Sequence, residues 1–214
     1  MGKSVYIVAL IATIALFAVI FFSVKAFEDS RFTGLNEQLR QIEFENNLER
    51  VYSEFRLTDA NDYCVFTNES ILDTTKKLAD MDYQLNSYKD AMLSTDYTFA
   101  KKNFLLTNIL LLQRVDSAIK DCNLKIKPII YFYAEDKSCE VECGTIASQL
   151  EQIKSICPSV RVFAFPYNWS DYKFTSFIEH EYDVNKAGTL VIGGKTFSSL
   201  QKDSVLIGAL DCNN

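Results

Sequence analysis

Residues 129–143 read IIYFYAEDKSCEVEC. The run from Ile129 to Tyr133 is wholly apolar or aromatic and opens on two β-branched residues, the texture of a strand buried on both faces. Glu135, Asp136, Lys137 and Ser138 interrupt it as a polar loop. A helix is then expected over residues 139–156, with Ser138 as its N-cap. The reading places Cys139 and Cys143 together at a strand-to-helix junction.

Working toward the C-terminus, Val160 to Phe165 reads as a second strand and Asp171 to Tyr182 as a helix. Gly188 to Ile192 reads as a third strand. Gly193-Gly194 is a two-residue turn into Lys195-Thr196-Phe197, a hairpin signature. A last helix is expected from Leu200 to Asp211. The expected order over residues 127–214 is therefore β-α-β-α-β-β-α.

Working toward the N-terminus, no proline occurs in residues 28–127, and the texture is helical. Residues 30–57 carry Leu35, Leu39, Ile42, Leu48, Val51, Tyr52 and Phe55 at helical spacing. Turn residues follow over 57–62. A second helix is expected from Asn68 to Leu93, with a stripe of Ile71, Leu78, Met81, Leu85, Tyr88 and Met92. After an N-cap at Ser94-Thr95-Asp96, a third runs to Lys120, striped by Phe99, Leu105, Leu106, Ile109, Leu112, Val115 and Ile119. These stripes read as helix-to-helix packing, not as a cofactor box, and no cofactor is expected. Short connections imply antiparallel neighbours. Cys64, ahead of the second helix, and Cys122, after the third, then fall at the same end of a hairpin, where a Cys64–Cys122 disulfide would staple it. Closing so long a loop stabilises by roughly 4 kcal/mol on the chain-entropy account.

Residues 5–24, VYIVALIATIALFAVIFFSV, are uncharged and span roughly 30 Å as a helix, the thickness of a bilayer's hydrocarbon core. Val24, Lys25 and Ala26 offer a cleavage site, but the apolar run exceeds the roughly 7–15 residues of a signal-peptide core. An uncleaved single-pass anchor (residues 1–27) is expected, in contact with membrane lipid. The short leading tail with Lys3 favours a cytoplasmic N-terminus, leaving a helical segment (28–126) and an α/β domain (127–214) outside the cytoplasm. In that compartment the six cysteines are expected to form disulfides. Sequons at Asn68 and Asn168 fit an external location.

Composition narrows the function. With 48% apolar residues, 3 Pro and 7 Gly, the chain is globular. A net charge of −6 with no basic stripe gives no support for nucleic-acid binding. The single histidine, His180, reads as a structural or surface residue and excludes a multi-histidine metal site. No CxxC occurs, so zinc is not expected.

The segments IIYFYAEDKSCEVEC (129–143), VRVFAFPYN (160–168) and VNKAGTLVIGGKTF (184–197), taken in that order, resemble the thioredoxin-like fold family. The whole chain is similar to archaeal membrane-anchored thioredoxin-like proteins. The resemblance implies that the first and last helices of the domain share one face of the sheet, which makes Cys157–Cys212 a second structural pair and leaves Cys139 and Cys143 for each other. It also implies thiol–disulfide exchange with exported proteins, Cys139 attacking a substrate disulfide and Cys143 resolving. Three differences stand against that activity. The family's Cys-x-x-Cys is here Cys139-Glu140-Val141-Glu142-Cys143. Its proline before the third strand is Ala187 or Gly188, and its buried acid on the first strand is replaced by Tyr131. Redox activity, a structural clip and two free thiols therefore all stay open for the pair, as does a binding or scaffold role for the domain. A membrane-proximal coiled coil over residues 30–57 is a further alternative, weakened by short, imperfect heptads.

Overall fold

The computed structural model describes residues 2–55, 60–88, 94–169 and 172–212. Helix α1 runs unbroken from Gly2 to Phe55. The apolar stretch 5–24 and the helical spacing expected from residue 30 onward thus belong to one helix, with no proline between them. Within it, Tyr6–Ala26 is long and apolar enough to cross a membrane, and none of that stretch is buried against the protein. Farther along α1, Ile42 is fully buried against the next two helices.

Helix α2 (Ala60–Tyr88) and helix α3 (Ser94–Cys122) form a packed pair. Helix α2 starts well ahead of the expected Asn68. Asn61 and Asp62, read as turn residues, lie in its first turn, where short polar side chains and negative charge are favourable. Cys64 is consequently inside α2, not ahead of it, and Cys122 is the last residue of α3. The stripe of Ile71, Leu78, Met81 and Leu85 is buried as expected. The side chains of Tyr88 and Met92, and those of 35, 39, 48, 51, 52 and 55 on α1, lie outside the described residues. On α3 the expected face needs correction. Phe99 and Leu106 face solvent, and the buried row is Ala100, Phe104, Leu105, Ile109, Leu112 and Val115.

Strands β1 (Lys127–Tyr133), β2 (Val160–Pro166), β3 (Thr189–Ile192) and β4 (Lys195–Phe197) form one mixed sheet in the order β2-β1-β3-β4. Strand β1 pairs parallel with β2 and antiparallel with β3, and β3 pairs antiparallel with β4 across the Gly193-Gly194 turn. Helix α4 (Glu140–Ile156) is the crossover between β1 and β2. Helix α5 (Lys173–Glu181) precedes β3, and helix α6 (Asp203–Leu210) closes the chain. Both of the last two are shorter than expected. Residues 170–171, where α5 was expected to start, lie outside the described residues.

The alternation of β1 explains why both faces of the sheet are covered. Ile129 and Tyr131 point into a core with Ile146, Leu150 and Ile153 of α4 and Leu206 and Leu210 of α6. Ile130 and Phe132 point the other way, into a core continuous with Leu105, Ile109 and Val115 of α3 and Ile178 of α5. A strand buried on both faces has no polar side to show, which is why its sequence reads as an unbroken apolar run. The helical pair and the sheet thus share a single core cluster.

Candidate functional site

The site is built where β1 ends. Ala134 to Asp136 leave the sheet, and a single 3-10 turn, Lys137–Cys139, precedes α4. Asp136 caps that turn, its carboxylate accepting from the Ser138 N–H at 2.9 Å, and hydrogen bonding from the Ser138 side chain and then from its backbone holds its carboxyl below the usual carboxylate range. Ser138, expected to cap the helix, instead sits inside the 3-10 turn. The N-cap of α4 is Cys139 itself, with φ −125° and ψ 14° and no side-chain cap bond.

The non-helical backbone of Cys139 is what lets it meet Cys143. Residues four apart in a regular helix have Cα atoms about 6 Å apart. Here the separation is 5.2 Å, and the two form a disulfide. Cys64 and Cys122 are bonded with Cα atoms 5.4 Å apart, tying the start of α2 to the end of α3. Cys157, which follows α4, is bonded to Cys212, which follows α6, with Cα atoms 5.7 Å apart. All these separations lie in the ordinary range for disulfides.

Three neighbours define the surroundings of the Cys139–Cys143 pair. Gly188, φ +79°, donates its N–H to the Phe132 carbonyl at 2.8 Å and lies close to the Cys139 sulfur. A Cβ at that position would stand 3.4 Å from Cys139 Sγ, 3.4 Å from Glu142 Cδ and 3.5 Å from Ile146 Cδ1. Tyr131, on β1, donates its hydroxyl to the Cys143 carbonyl at 3.0 Å. Burial, with a further push from Glu142, raises that hydroxyl to about 12. Glu142 itself accepts from the Leu200 N–H at 3.4 Å and faces Lys186 Nζ at 3.8 Å. Cys139 is only 7% exposed, whereas Cys143 is half-buried, and Val141 between them is 83% exposed.

In chemical terms, a thiol at the N-terminus of a helix faces partial positive charge and unpaired N–H groups, which favours thiolate. Glu140 and Glu142 act against it, and Lys186 offsets part of the second. The arrangement can hold a disulfide and, once that is reduced, a thiolate at position 139. Among the described residues no cluster of His, Cys, Asp or Glu is arranged to hold a metal ion. His180 is exposed in the last turn of α5, away from both cysteines in sequence and without a sulfur contact. The two sequons differ: Asn68 is half-buried within α2, and Asn168 is exposed in the turn after β2.

One polar cluster has no counterpart in the sequence reading. Lys101 on α3 is buried, forms an ion pair with Glu135 of the loop that leads to Cys139, and stands 5.4–5.7 Å from the ring centres of Tyr97, Tyr133 and Trp169. Burial, with Glu135 adding to it, raises the Tyr133 hydroxyl well above its ordinary value and the Tyr97 hydroxyl to about 12. The signal available in the sequence was a lysine whose helical neighbours, Tyr97 and Leu105, belong to the apolar face. The cluster anchors the loop ahead of Cys139 to the helical pair. A separate cleft of about 470 Å³ lies between α2 and β2, lined by Leu72, Asp82, Phe104, Arg161 and Phe163 among others, and it contains neither cysteine of the α4 pair.

Comparisons with protein-family models, with curated proteins and with solved structures find no match for this chain.

Proposed function

We propose that the chain is a membrane-anchored thiol–disulfide oxidoreductase whose α/β domain is thioredoxin-like and faces the extracytoplasmic side. The observation that carries this reading is the Cys139–Cys143 disulfide at the end of β1 and the N-terminus of α4, beneath the Gly188 turn. The order of elements and the pairing of β1 with a parallel β2 and an antiparallel β3 support the thioredoxin-like assignment. Three disulfides support an oxidising compartment. The apolar Tyr6–Ala26 stretch supports attachment as a single-pass protein, and the short leading tail with Lys3 supports a cytoplasmic N-terminus with residues 28–214 outside. Substrates of this class are the thiols and disulfides of exported proteins.

The test uses the full chain in detergent, reduced and then mixed with a fluorogenic peptide disulfide. Turnover is expected in the wild type and is abolished by Cys139→Ser and by Cys143→Ser. A wild-type rate no faster than that of the added reductant alone overturns the proposal.

The deep burial of Cys139 favours a second reading, in which the pair is a structural clip in a binding or scaffold module. A reduction potential well below about −300 mV marks that case.

A further inference from the structure

We propose that Cys143, not Cys139, is the sulfur that exchanges with outside thiols, and that Cys139 is the leaving and resolving group. The inference rests on the redox reading above but reverses the order of roles that the resemblance implies.

Attack on a disulfide proceeds along the S–S axis, so the reacting sulfur must be reachable from outside. Reaction also favours expulsion of the thiol with the lower pKa. Both conditions select the same assignment. Cys139 is 7% exposed, and Gly188 sits so close that a Cβ there would stand 3.4 Å from Cys139 Sγ. Cys143 lies one turn into α4 and is half-buried, with exposed Gly144 and Thr145 beside it. As a leaving group Cys139 is well placed. It occupies the N-cap of a 17-residue helix, and no side-chain oxygen takes up the first N–H groups of α4 there. The Lys186 ammonium, 3.8 Å from Glu142, offsets part of that carboxylate's charge.

The exchange balances in both directions. An outside thiolate attacks Cys143 Sγ, a new S–S bond forms there, and the electron pair of the broken bond leaves on Cys139 as thiolate. A second outside thiolate then attacks the outer sulfur of that mixed disulfide. This releases an outside disulfide and leaves Cys143 as thiolate, so the pair is reduced by two electrons. In the opposite sense, the Cys143 thiolate attacks a substrate disulfide and expels one substrate thiolate; the Cys139 thiolate then attacks Cys143 Sγ, closing the pair and expelling the second substrate thiolate, so the substrate is reduced by two electrons.

Two measurements on the full chain in detergent test the assignment. In the first, the oxidised wild type is treated with excess glutathione and quenched in acid, and the remaining thiols are alkylated. Cleavage after Glu140 and Glu142 separates the two cysteines for mass spectrometry. The glutathione adduct is expected on Cys143 at least tenfold over Cys139. In the second, each single-cysteine variant is reduced selectively and mixed with oxidised glutathione. The Cys143 thiol of Cys139→Ser is expected to form its mixed disulfide about tenfold faster than the Cys139 thiol of Cys143→Ser. An adduct on Cys139, equal labelling, or no adduct while the pair stays closed overturns the proposal. The wild-type mapping does not depend on either variant folding. An adduct on Cys143 without turnover of a peptide disulfide would remove the oxidoreductase reading and leave the order of attack standing.

Discussion

The Tyr131 hydroxyl donates to the backbone carbonyl of Cys143 at 3.0 Å, joining the central strand of the sheet to the helix that carries the disulfide. Burial keeps that hydroxyl a neutral donor, its value raised to about 12. Replacing Tyr131 by Phe removes one hydrogen bond and little volume. We expect a loss of about 1 kcal/mol, read as a fall in Tm of about 2–4 °C for a chain of this size. A variant as stable as the wild type would show that this bond contributes nothing net.

The same tyrosines set an alkaline limit. Burial raises Tyr131 and Tyr97 to about 12 and Tyr133 further, whereas exposed tyrosines in the unfolded chain ionise near 10. A folded-state value above the unfolded one means that stability is fully present below about pH 10 and is lost as pH rises toward about 12. Denaturant midpoints should therefore be unaffected by these groups at neutral pH and fall steeply above pH 10. The part of the tyrosinate absorbance that these three buried tyrosines contribute should develop in step with unfolding. Full tyrosine ionisation near pH 10 with the fold intact would contradict this.

The Cys64–Cys122 bond closes a loop of 58 residues between α2 and α3. Substituting both cysteines by Ala should destabilise by about 4 kcal/mol if the unfolded-chain entropy dominates. Urea unfolding of the double variant measures this, and the Cys139–Cys143 chemistry should persist in the fraction that remains folded.

Gly188 combines φ +79° with close approach to the Cys139 sulfur. An alanine there adopts a left-handed backbone at a cost of about 1–2 kcal/mol, and its Cβ meets Cys139 Sγ at 3.4 Å. We expect Gly188→Ala to lower Tm and to change the reduction rate of the pair together. A glycine-to-alanine change at the exposed Gly144, which meets nothing within 4 Å, should change neither beyond the usual helix-propensity gain.

Lys101 and Glu135 form a largely buried pair, with side chains 8% and 27% exposed. Lys101→Met leaves Glu135 beside three aromatic rings without its ammonium partner. We expect a loss of about 3 kcal/mol, the low end for broken buried pairs because Glu135 keeps some solvent. The double variant with Glu135→Gln should recover part of it, and a double-mutant cycle by urea unfolding checks the coupling.

How much of this was legible in sequence follows from where the signal is local. The run Ile129 to Tyr133 announces a doubly buried strand, and Gly193-Gly194 announces its hairpin, because each is decided by its own residues. The start of α2 was misplaced because Asn61 and Asp62 suit a turn and a helix's first turn equally well. The face of α3 was misjudged at Phe99 and Leu106 because a wide apolar helix hides which residues tertiary packing will cover. Lys101 was missed because its partners come from the end of β1, the following loop and the turn after β2. The site was half legible: the spacing of Cys139 and Cys143 was visible, but the close approach of Gly188 to the Cys139 sulfur, from about 50 residues away in the chain, was not.

The central claim is that the Cys139–Cys143 pair is redox-active, and its equilibrium with glutathione in the full-length protein tests this most directly. The account predicts a reduction potential between about −120 and −270 mV, the span of known dithiol exchangers, with the other two disulfides still closed. A value well below about −300 mV, or reduction only after Cys64–Cys122 and Cys157–Cys212 have opened, would contradict it.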